Sequence, residues 1–167
     1  MNSERDITSR TLSSFFRPDA EGPRALLFLR AAVAFGFISS GALKFLFENQ
    51  GPGRFAKIGL TPQLAYFVGA VELVCGALIL LGLFARLAAI PLVFDMLVAI
   101  VTTKLPLLSG PGPEPIAANP KTGFLAFAYQ ARLDLAMLLC CAFLVAAGAG
   151  LWSLDAWLAK KRLAREG

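Results

Sequence analysis

The segment PQLAYFVGAVELVCGALILLGLF, residues 62–84, decides the fold of this chain. It runs for 23 residues with a single ionisable side chain, Glu72. A hydrocarbon core of about 30 Å needs about 20 helical residues to cross it, so the segment is long enough to span a bilayer. It lacks the alternating pattern of a membrane β-strand, and an open sheet edge cannot face lipid. The segment therefore predicts a transmembrane helix.

Three further apolar runs accompany it. With 57% hydrophobic residues, 16% charged residues and a mean hydropathy of +0.67, the chain of 167 residues is too apolar for an ordinary soluble domain. We predict an all-α membrane protein built as a bundle of four transmembrane helices. The predicted spans are residues 25–47, 62–84, 87–103 and 130–151, the last within a longer apolar run from Phe124 to Trp152. A polar segment, 1–24, precedes the membrane domain 25–152, and a basic tail, 153–167, follows it.

The basic residues predict an orientation. Segment 1–24 lacks the compact basic and apolar regions of a cleavable signal peptide, so we expect the first span to be retained as an anchor. If the spans alternate in direction, nine basic residues fall on the side of both termini and three on the other. The nine are Arg5, Arg10, Arg17, Arg24, Arg86, Lys160, Lys161, Arg162 and Arg165, and the three are Arg54, Lys57 and Lys121. The positive-inside rule then places both termini in the cytoplasm.

The composition argues against several classes of site. The chain has no histidine, the commonest metal and proton-relay ligand, so haem ligation by two histidines is impossible. Cys75, Cys140 and Cys141 lie in apolar runs without a C-x-x-C spacing, which favours packing over zinc or redox chemistry. The net charge of +5 is scattered between apolar runs, with no basic stripe interleaved with aromatics for nucleic acid.

The segments outside the spans leave alternatives open. The loop Leu105 to Gly123 contains five prolines, which favour an irregular cover that acts either as a lid or as a rigid connector. The linker Glu48 to Thr61 is expected to lie along the membrane interface. Trp152 and Trp157 beside the basic tail are typical of an interface anchor, with binding of anionic lipid headgroups as the alternative.

Six ionisable residues interrupt or end the apolar runs. They are Lys44, Glu72, Asp95, Lys104, Arg132 and Asp134. An uncompensated charge in lipid costs at least about 2.5 to 3.5 kcal/mol, so such groups are usually paired, cavity-lining or functional. At 1.5 Å of rise per residue, the predicted topology places all six in the outer half of the bundle, with Glu72 and Asp95 near mid-membrane.

Three cations and three acids in one place predict a formally neutral ion network. The same cluster could instead floor a pocket for a small polar headgroup, or exchange protons with one. Small residues share the helix faces of Lys44 and Glu72, and they favour close helix packing that turns both charges inward. They are Gly36 and Ser40 on the first span and Ala65, Gly69 and Gly76 on the second. Arg30, near the inner end of the first span, is expected to snorkel towards the interface.

The chain resembles the DoxX family of small four-helix membrane proteins, in the branch related to DoxD, a subunit of quinol oxidase or of thiosulfate:quinone oxidoreductase. Besides the span that contains Arg30, the stretches that carry the resemblance are Gly41–Phe45, Arg54–Leu60, Val71–Leu73, Gly82–Ala88, Met96–Ile100, Arg132–Asp134 and Gly148–Asp155. The resemblance covers about residues 24–158.

One departure concerns the fourth span. That branch has an acidic residue before the arginine and a threonine between arginine and aspartate, whereas this chain has Gln130, Ala131 and Leu133 in that neighbourhood. If that acid pairs with the arginine in the branch, Arg132 of this chain is expected to pair instead with Glu72, Asp95 or Asp134.

The resemblance implies a membrane subunit of a quinone-linked oxidoreductase in the bacterial cytoplasmic (inner) membrane. Quinone is then the expected ligand, and other membrane or redox subunits are the expected partners. With no intrinsic cofactor in this chain, a partner subunit would carry any metal or flavin, and we expect no autonomous catalysis. A non-catalytic scaffold of a larger membrane complex is the alternative. A small proton-coupled transporter ranks last, because no inverted repeat or broken helix is evident.

Overall fold

The computed structural model describes residues 24–112 and 120–166, where the regular structure is helical. The helices are α1 (Leu26–Leu46), α2 (Pro52–Lys57), α3 (Leu64–Leu81), α4 (Ala85–Ala99), α5 (Phe124–Ala147) and α6 (Leu154–Glu166). Helix α4 continues through a wider π turn, Ile100–Lys104, and then a tight 3-10 turn, Leu105–Leu108.

Among the described residues, four helices are long and apolar enough to cross a membrane: α1, α3, α5, and α4 with its two following turns. The predicted all-α fold with four spans is therefore confirmed. The third span begins at Ala85 and reaches Leu108, beyond the predicted 87–103. The last span is helical over Phe124–Ala147 rather than 130–151, because the backbone turns at Gly148, whose φ of +79° favours glycine.

The bundle is assembled from two helix pairs. Helix α1 packs chiefly on α3, and α4 packs chiefly on α5. Between the pairs lies an apolar core to which all four spans contribute, including Phe37, Ile79, Leu92 and Leu144. Many large apolar side chains on the outer surface are exposed, as expected for helices whose outer faces meet lipid.

Both ends of the described chain meet at one end of the bundle. The Arg24 guanidinium lies 5.7 Å from the centre of the Trp152 ring, so the start of α1 and the residues after α5 are neighbours. The prediction that both termini share one side agrees with this arrangement. The predicted polar segment 1–24 falls outside the described residues except for Arg24, as do Pro113 and Pro115 of the long loop.

Arg30 holds that end together, and the expectation that it snorkels is wrong. Its side chain is 1% exposed, and its Nε donates to the Ile79 carbonyl oxygen at 2.8 Å. Its terminal nitrogens donate to the carbonyl oxygens of Leu80 at 2.6 Å, Ala149 at 3.0 Å and Trp152 at 2.7 Å. Because the last carbonyls of a helix lack internal partners and carry partial negative charge, a guanidinium satisfies them well. Arg30 thus ties α1 to the ends of α3 and α5.

Asp155 makes a second tie at the same end. Its Oδ2 accepts a hydrogen bond from the Phe84 backbone N–H at 2.9 Å, which satisfies a donor at the start of α4. The Asp155 N–H in turn donates to the Gly82 carbonyl oxygen at 3.1 Å. The start of α6 is therefore bonded to the short link between α3 and α4, which explains why the third span begins earlier than its hydropathy predicts.

Candidate functional site

A buried ion pair joins α1 to α3 at the opposite end of the bundle from Arg30. The Lys44 Nζ lies 2.5 Å from the Glu72 Oε2, and the two residues are 8% and 1% exposed. Ser40 completes a triangle, because its hydroxyl donates to the Glu72 Oε1 at 3.0 Å and accepts from the Lys44 Nζ at 2.9 Å. Both Glu72 oxygens therefore have donors.

Glycines allow this close approach of α1 and α3. A Cβ at Gly41 would lie 2.7 Å from the Gly69 carbonyl oxygen, and one at Gly69 would lie 3.2 Å from the Lys44 Cβ. The backbones thus meet where only glycine fits, within one turn of the ion pair. The predicted small-residue face of α3 is buried at Ala65, Gly69 and Gly76.

Asp95 on α4 extends the polar cluster. Asp95 and Glu72 line the same cavity. The Asp95 Oδ2 is buried and has no hydrogen-bond partner within the part of the chain that the structure describes. Buried polar atoms usually have a partner, so this oxygen is available to a donor on a bound molecule.

The π turn brings Lys104 to the same region. In a regular α-helix, residues 95 and 104 would lie on opposite faces, because nine residues at about 100° each leave half a turn between them. The wider turn at Ile100–Lys104 changes that phase. Lys104 is 8% exposed, and its Nζ lies 3.8 Å from the Asp134 Oδ2 on α5.

Lys44, Glu72, Asp95 and Asp134 line a cavity of about 140 Å³ among α1, α2, α3, α4 and α5. The charged and hydroxyl residues of its lining are Ser40, Lys44, Arg54, Glu72, Asp95, Thr102, Thr103 and Asp134. The apolar residues are Phe55, Ile58, Leu60, Leu64, Val68, Met96, Val98 and Ala99. The cavity is therefore amphipathic, with a charged floor and a wall of aliphatic and aromatic side chains.

Short helix α2 covers the cavity, with Arg54, Phe55 and Ile58 in the lining. Phe55 is 8% exposed, so α2 is anchored by an apolar residue that points into the bundle. The sequence predicts that the loop Leu105 to Gly123 is either a lid or a rigid connector. Its described parts, 105–112 and 120–123, contribute no residue to the lining, and the rest of that loop lies outside the described residues.

Arg132 lies outside the cluster. Its side chain is exposed and stacks on the ring of Tyr129, 3.7 Å from the ring centre, while its Nη1 donates to the Tyr129 carbonyl oxygen. The expected pairing with Glu72, Asp95 or Asp134 is wrong. Residues 132 and 134 lie about 200° apart around a helix, so they cannot both face the cavity.

Of the six ionisable residues in the predicted cluster, the structure places Lys44, Glu72, Asp95 and Asp134 in the cavity lining, with Lys104 paired to Asp134. The prediction did not include Ser40 as a hydrogen-bond partner of Glu72, or Arg54, which is the second cation of the lining. The spacing of four between Ser40 and Lys44 was a usable signal, since such residues are neighbours on a helix. Within the described ranges, no group of side chains is arranged to hold a metal ion.

A four-span membrane bundle with an ion-paired, partly apolar cavity defines the class of this protein. Comparison with known proteins gives the family. The DoxX family model matches residues 25–105, which contain α1 to α4 and most of the cavity lining. Uncharacterized membrane protein Rv3486 of Mycobacterium tuberculosis is 46% identical over 149 residues, which is 87% of this chain and 88% of that protein. The chain belongs to the DoxX family.

A second relative is similar over a shorter stretch. It is the Bacillus subtilis protein named "Putative oxidoreductase CatD", 33% identical over 79 residues, or 47% of this chain and 59% of that protein. No solved structure matches the chain.

Proposed function

We propose that this protein is a membrane subunit of a quinone-linked oxidoreductase in the bacterial cytoplasmic membrane, and that its cavity binds the ring of a quinone. The cavity carries the proposal, because it combines apolar walls with a buried acceptor, the Asp95 Oδ2, that has no donor in the described chain. The name of the Bacillus subtilis relative adds support for redox association.

The size of the cavity suits one ring. An enclosed apolar cavity of about 150 Å³ holds a benzene molecule, and this cavity measures about 140 Å³. The isoprenoid tail of a quinone would remain among the lipid-facing helices, where apolar side chains such as Phe67 and Val98 are exposed.

The hydrogen-bonding groups of the cavity favour a ligand that donates. The Thr102 hydroxyl bonds the Val98 carbonyl oxygen and the Thr103 hydroxyl bonds the Ala99 carbonyl oxygen. Lys44 is engaged by Glu72 and Ser40. A quinone in its reduced form offers a hydroxyl to Asp95, and this chain would hold the ring while a partner subunit exchanges the electrons.

Ligand binding tests the proposal directly. A short-tailed ubiquinol or menaquinol analogue is titrated into the purified protein in lipid nanodiscs, and binding is measured by calorimetry. Binding should be lost in Ala99→Phe, which fills the cavity from its apolar wall without changing a charge, and weakened in Asp95→Asn. Arg132→Ala is the matched control and should bind like the wild type, because Arg132 lies outside the cavity.

If binding needs a partner subunit, the purified protein alone will not bind the analogue. The titration is therefore repeated on the complex isolated from native membranes. Undetectable binding of the analogue to the wild-type protein in both preparations would refute the proposal. Loss of binding in Ala99→Phe counts as support only if that variant is as stable as the wild type.

A non-catalytic scaffold is the second candidate, and the four carbonyl contacts of Arg30 favour it. In these contacts a buried charge ties helices together, which is what a scaffold requires. Asp95→Asn separates the two candidates, because the Asp95 Oδ2 has no hydrogen-bond partner in the described chain. A scaffold predicts that the complex assembles and turns over like the wild type, whereas the quinone proposal predicts an assembled complex with slow turnover.

A further inference from the structure

A groove at the Arg30 end of the bundle is independent of the cavity. It has a volume of about 550 Å³, and its apolar lining is formed by Leu27, Leu80, Leu81, Trp152, Leu154 and Trp157. The groove lies between the ends of α1 and α3 and the start of α6. Both tryptophans are 55% exposed, so their rings form open walls of the groove.

Two cations flank this apolar groove. The Arg24 guanidinium lies 5.7 Å from the centre of the Trp152 ring, and the Lys161 Nζ lies 4.9 Å from the centre of the Trp157 ring. Both side chains are exposed and therefore available to a ligand. Arg30 also lines the groove, but its guanidinium is already bonded to four carbonyl oxygens.

The nearby acid does not oppose these cations at the groove surface. Asp155 is 8% exposed, and its carboxylate accepts the Phe84 N–H behind the groove. Lys160, which precedes Lys161 on α6, is a further exposed cation. The described surface around the groove is therefore apolar in its floor and positive at its rim.

We propose that this groove is a binding site for an anionic phospholipid, with an acyl chain along the tryptophans and leucines and the phosphate between Arg24 and Lys161. An apolar groove with cations at its rim matches the apolar chains and the negative headgroup of an anionic lipid, and tryptophan is typical of the headgroup level. The positive-inside orientation would place the groove in the cytoplasmic leaflet.

The two tryptophans supply the test, because they are the only ones in the chain and both line the groove. The full-length protein is placed in phosphatidylcholine nanodiscs with a minor fraction of brominated lipid, which quenches tryptophan fluorescence on contact. Brominated phosphatidylglycerol should quench more strongly than brominated phosphatidylcholine at the same mole fraction. Added salt should reduce that preference.

The double variant Arg24→Gln/Lys161→Gln should remove the preference. Each cation near a membrane surface contributes about 1 kcal/mol to anionic-lipid binding, so the pair should weaken relative affinity roughly 30-fold. Lys57→Gln/Lys121→Gln removes the same charge from the other end of the bundle and should leave the preference intact.

Three results would overturn the proposal. Equal quenching by the two lipids would show that the groove holds bulk lipid without selection. An equal loss in both double variants would show a general effect of net charge. Weak quenching by either lipid would show that something other than lipid covers the groove.

Discussion

The Lys44–Glu72 pair is buried, and a buried charge without its partner lowers the free energy of unfolding. Lys44→Met leaves the Glu72 carboxylate, on a residue that is 1% exposed, with the Ser40 hydroxyl as its hydrogen-bond donor, and should lower the free energy of unfolding by about 3–5 kcal/mol. The double variant Lys44→Met/Glu72→Met should recover most of this loss, because it removes both charges. Unfolding in mixed SDS and mild-detergent micelles measures all three proteins.

Lys57→Met, at an exposed position on α2, is the control for the loss of one lysine. If Lys44→Met is no worse than this control, the pair does not stabilise the bundle. If the double variant is as unstable as the single one, the burial of an unpaired charge is not the cause.

Arg30 offers a test of geometry at constant charge. Lysine is a point charge on a flexible stem and cannot reach four carbonyl oxygens that a guanidinium fork reaches. Arg30→Lys should therefore leave at least one buried acceptor unsatisfied, at a cost of about 1–3 kcal/mol. The same replacement at exposed Arg132, which bonds a carbonyl of its own helix, should change stability by less than about 0.5 kcal/mol. Thermal unfolding of the two variants in one detergent gives the comparison, and equal melting temperatures would contradict it.

At the scale of single elements, the turn between α3 and α4 depends on Gly82. Its φ is +67°, and a Cβ there would lie 2.7 Å from the Arg30 Cζ and 2.5 Å from the Ser153 Cβ. Gly82→Ala should therefore cost more than the about 1–2 kcal/mol of left-handed backbone strain, because Arg30 must also move.

Substitution of Gly59 introduces left-handed backbone strain without a steric clash. Its φ is +78°, and a Cβ there would have no neighbour within 4 Å. Gly59→Ala should show the strain without the clash, so the difference in unfolding free energy between the two variants measures the steric term. A smaller loss for Gly82→Ala than for Gly59→Ala would show that the Arg30 contacts tolerate displacement.

The packing of α1 on α3 gives another matched comparison. A Cβ at Gly41 meets backbone, the Gly69 carbonyl oxygen, whereas one at Gly36 meets the flexible end of Met137 at 2.5 Å. Gly41→Ala should destabilise the bundle by about 1–3 kcal/mol, since α1 and α3 must separate. Gly36→Ala should cost little, because Met137 can rotate and alanine favours the helix by about 1 kcal/mol. Chemical unfolding of both variants checks the order of the two effects.

The helices could be predicted from the sequence where their bounds depend on neighbouring residues in the chain. A run of 23 residues in which Glu72 is the one charged side chain is enough to predict α3. The start of α4 depends on a carboxylate 71 residues away, and the burial of Arg30 depends on carbonyl oxygens 49 to 122 residues away. A hydropathy profile gives no information about contacts between residues so far apart in the chain. The outward position of Arg132 was available from helix periodicity, because residues 132 and 134 differ by about 200°.

At the scale of the whole molecule, the orientation in the membrane follows from which end carries the positive charge. Lys57 and Lys161 lie on surface-exposed positions at the two ends of the bundle. Lys57→Cys and Lys161→Cys are made in a chain whose three cysteines are replaced by alanine. A membrane-impermeant maleimide should label position 57 in spheroplasts of the native host, and position 161 only after lysis. The reverse pattern would overturn the cytoplasmic assignment of the termini.

The bundle has two polar centres, the Arg30 contacts at one end and the Lys44–Glu72 cluster at the other. Arg30 and Lys44 are 14 residues apart on one helix, which corresponds to about 21 Å along the axis. At one end the cation is saturated by backbone carbonyls, and at the other the polar groups face a cavity. The proposed chemistry and the proposed lipid contact are therefore separable by mutation.

The carbonyl contacts of Arg30 also constrain how a nascent chain completes this structure. Two of its acceptors, Ile79 and Leu80, are synthesised with the second span, but Ala149 and Trp152 leave the ribosome only after the fourth. The hairpin of α1 and α3 can form early, held by glycine contacts and the Lys44–Glu72 pair. Two of the four Arg30 hydrogen bonds therefore cannot form until the residues after the fourth span have left the ribosome, so those residues complete the Arg30 end of the bundle.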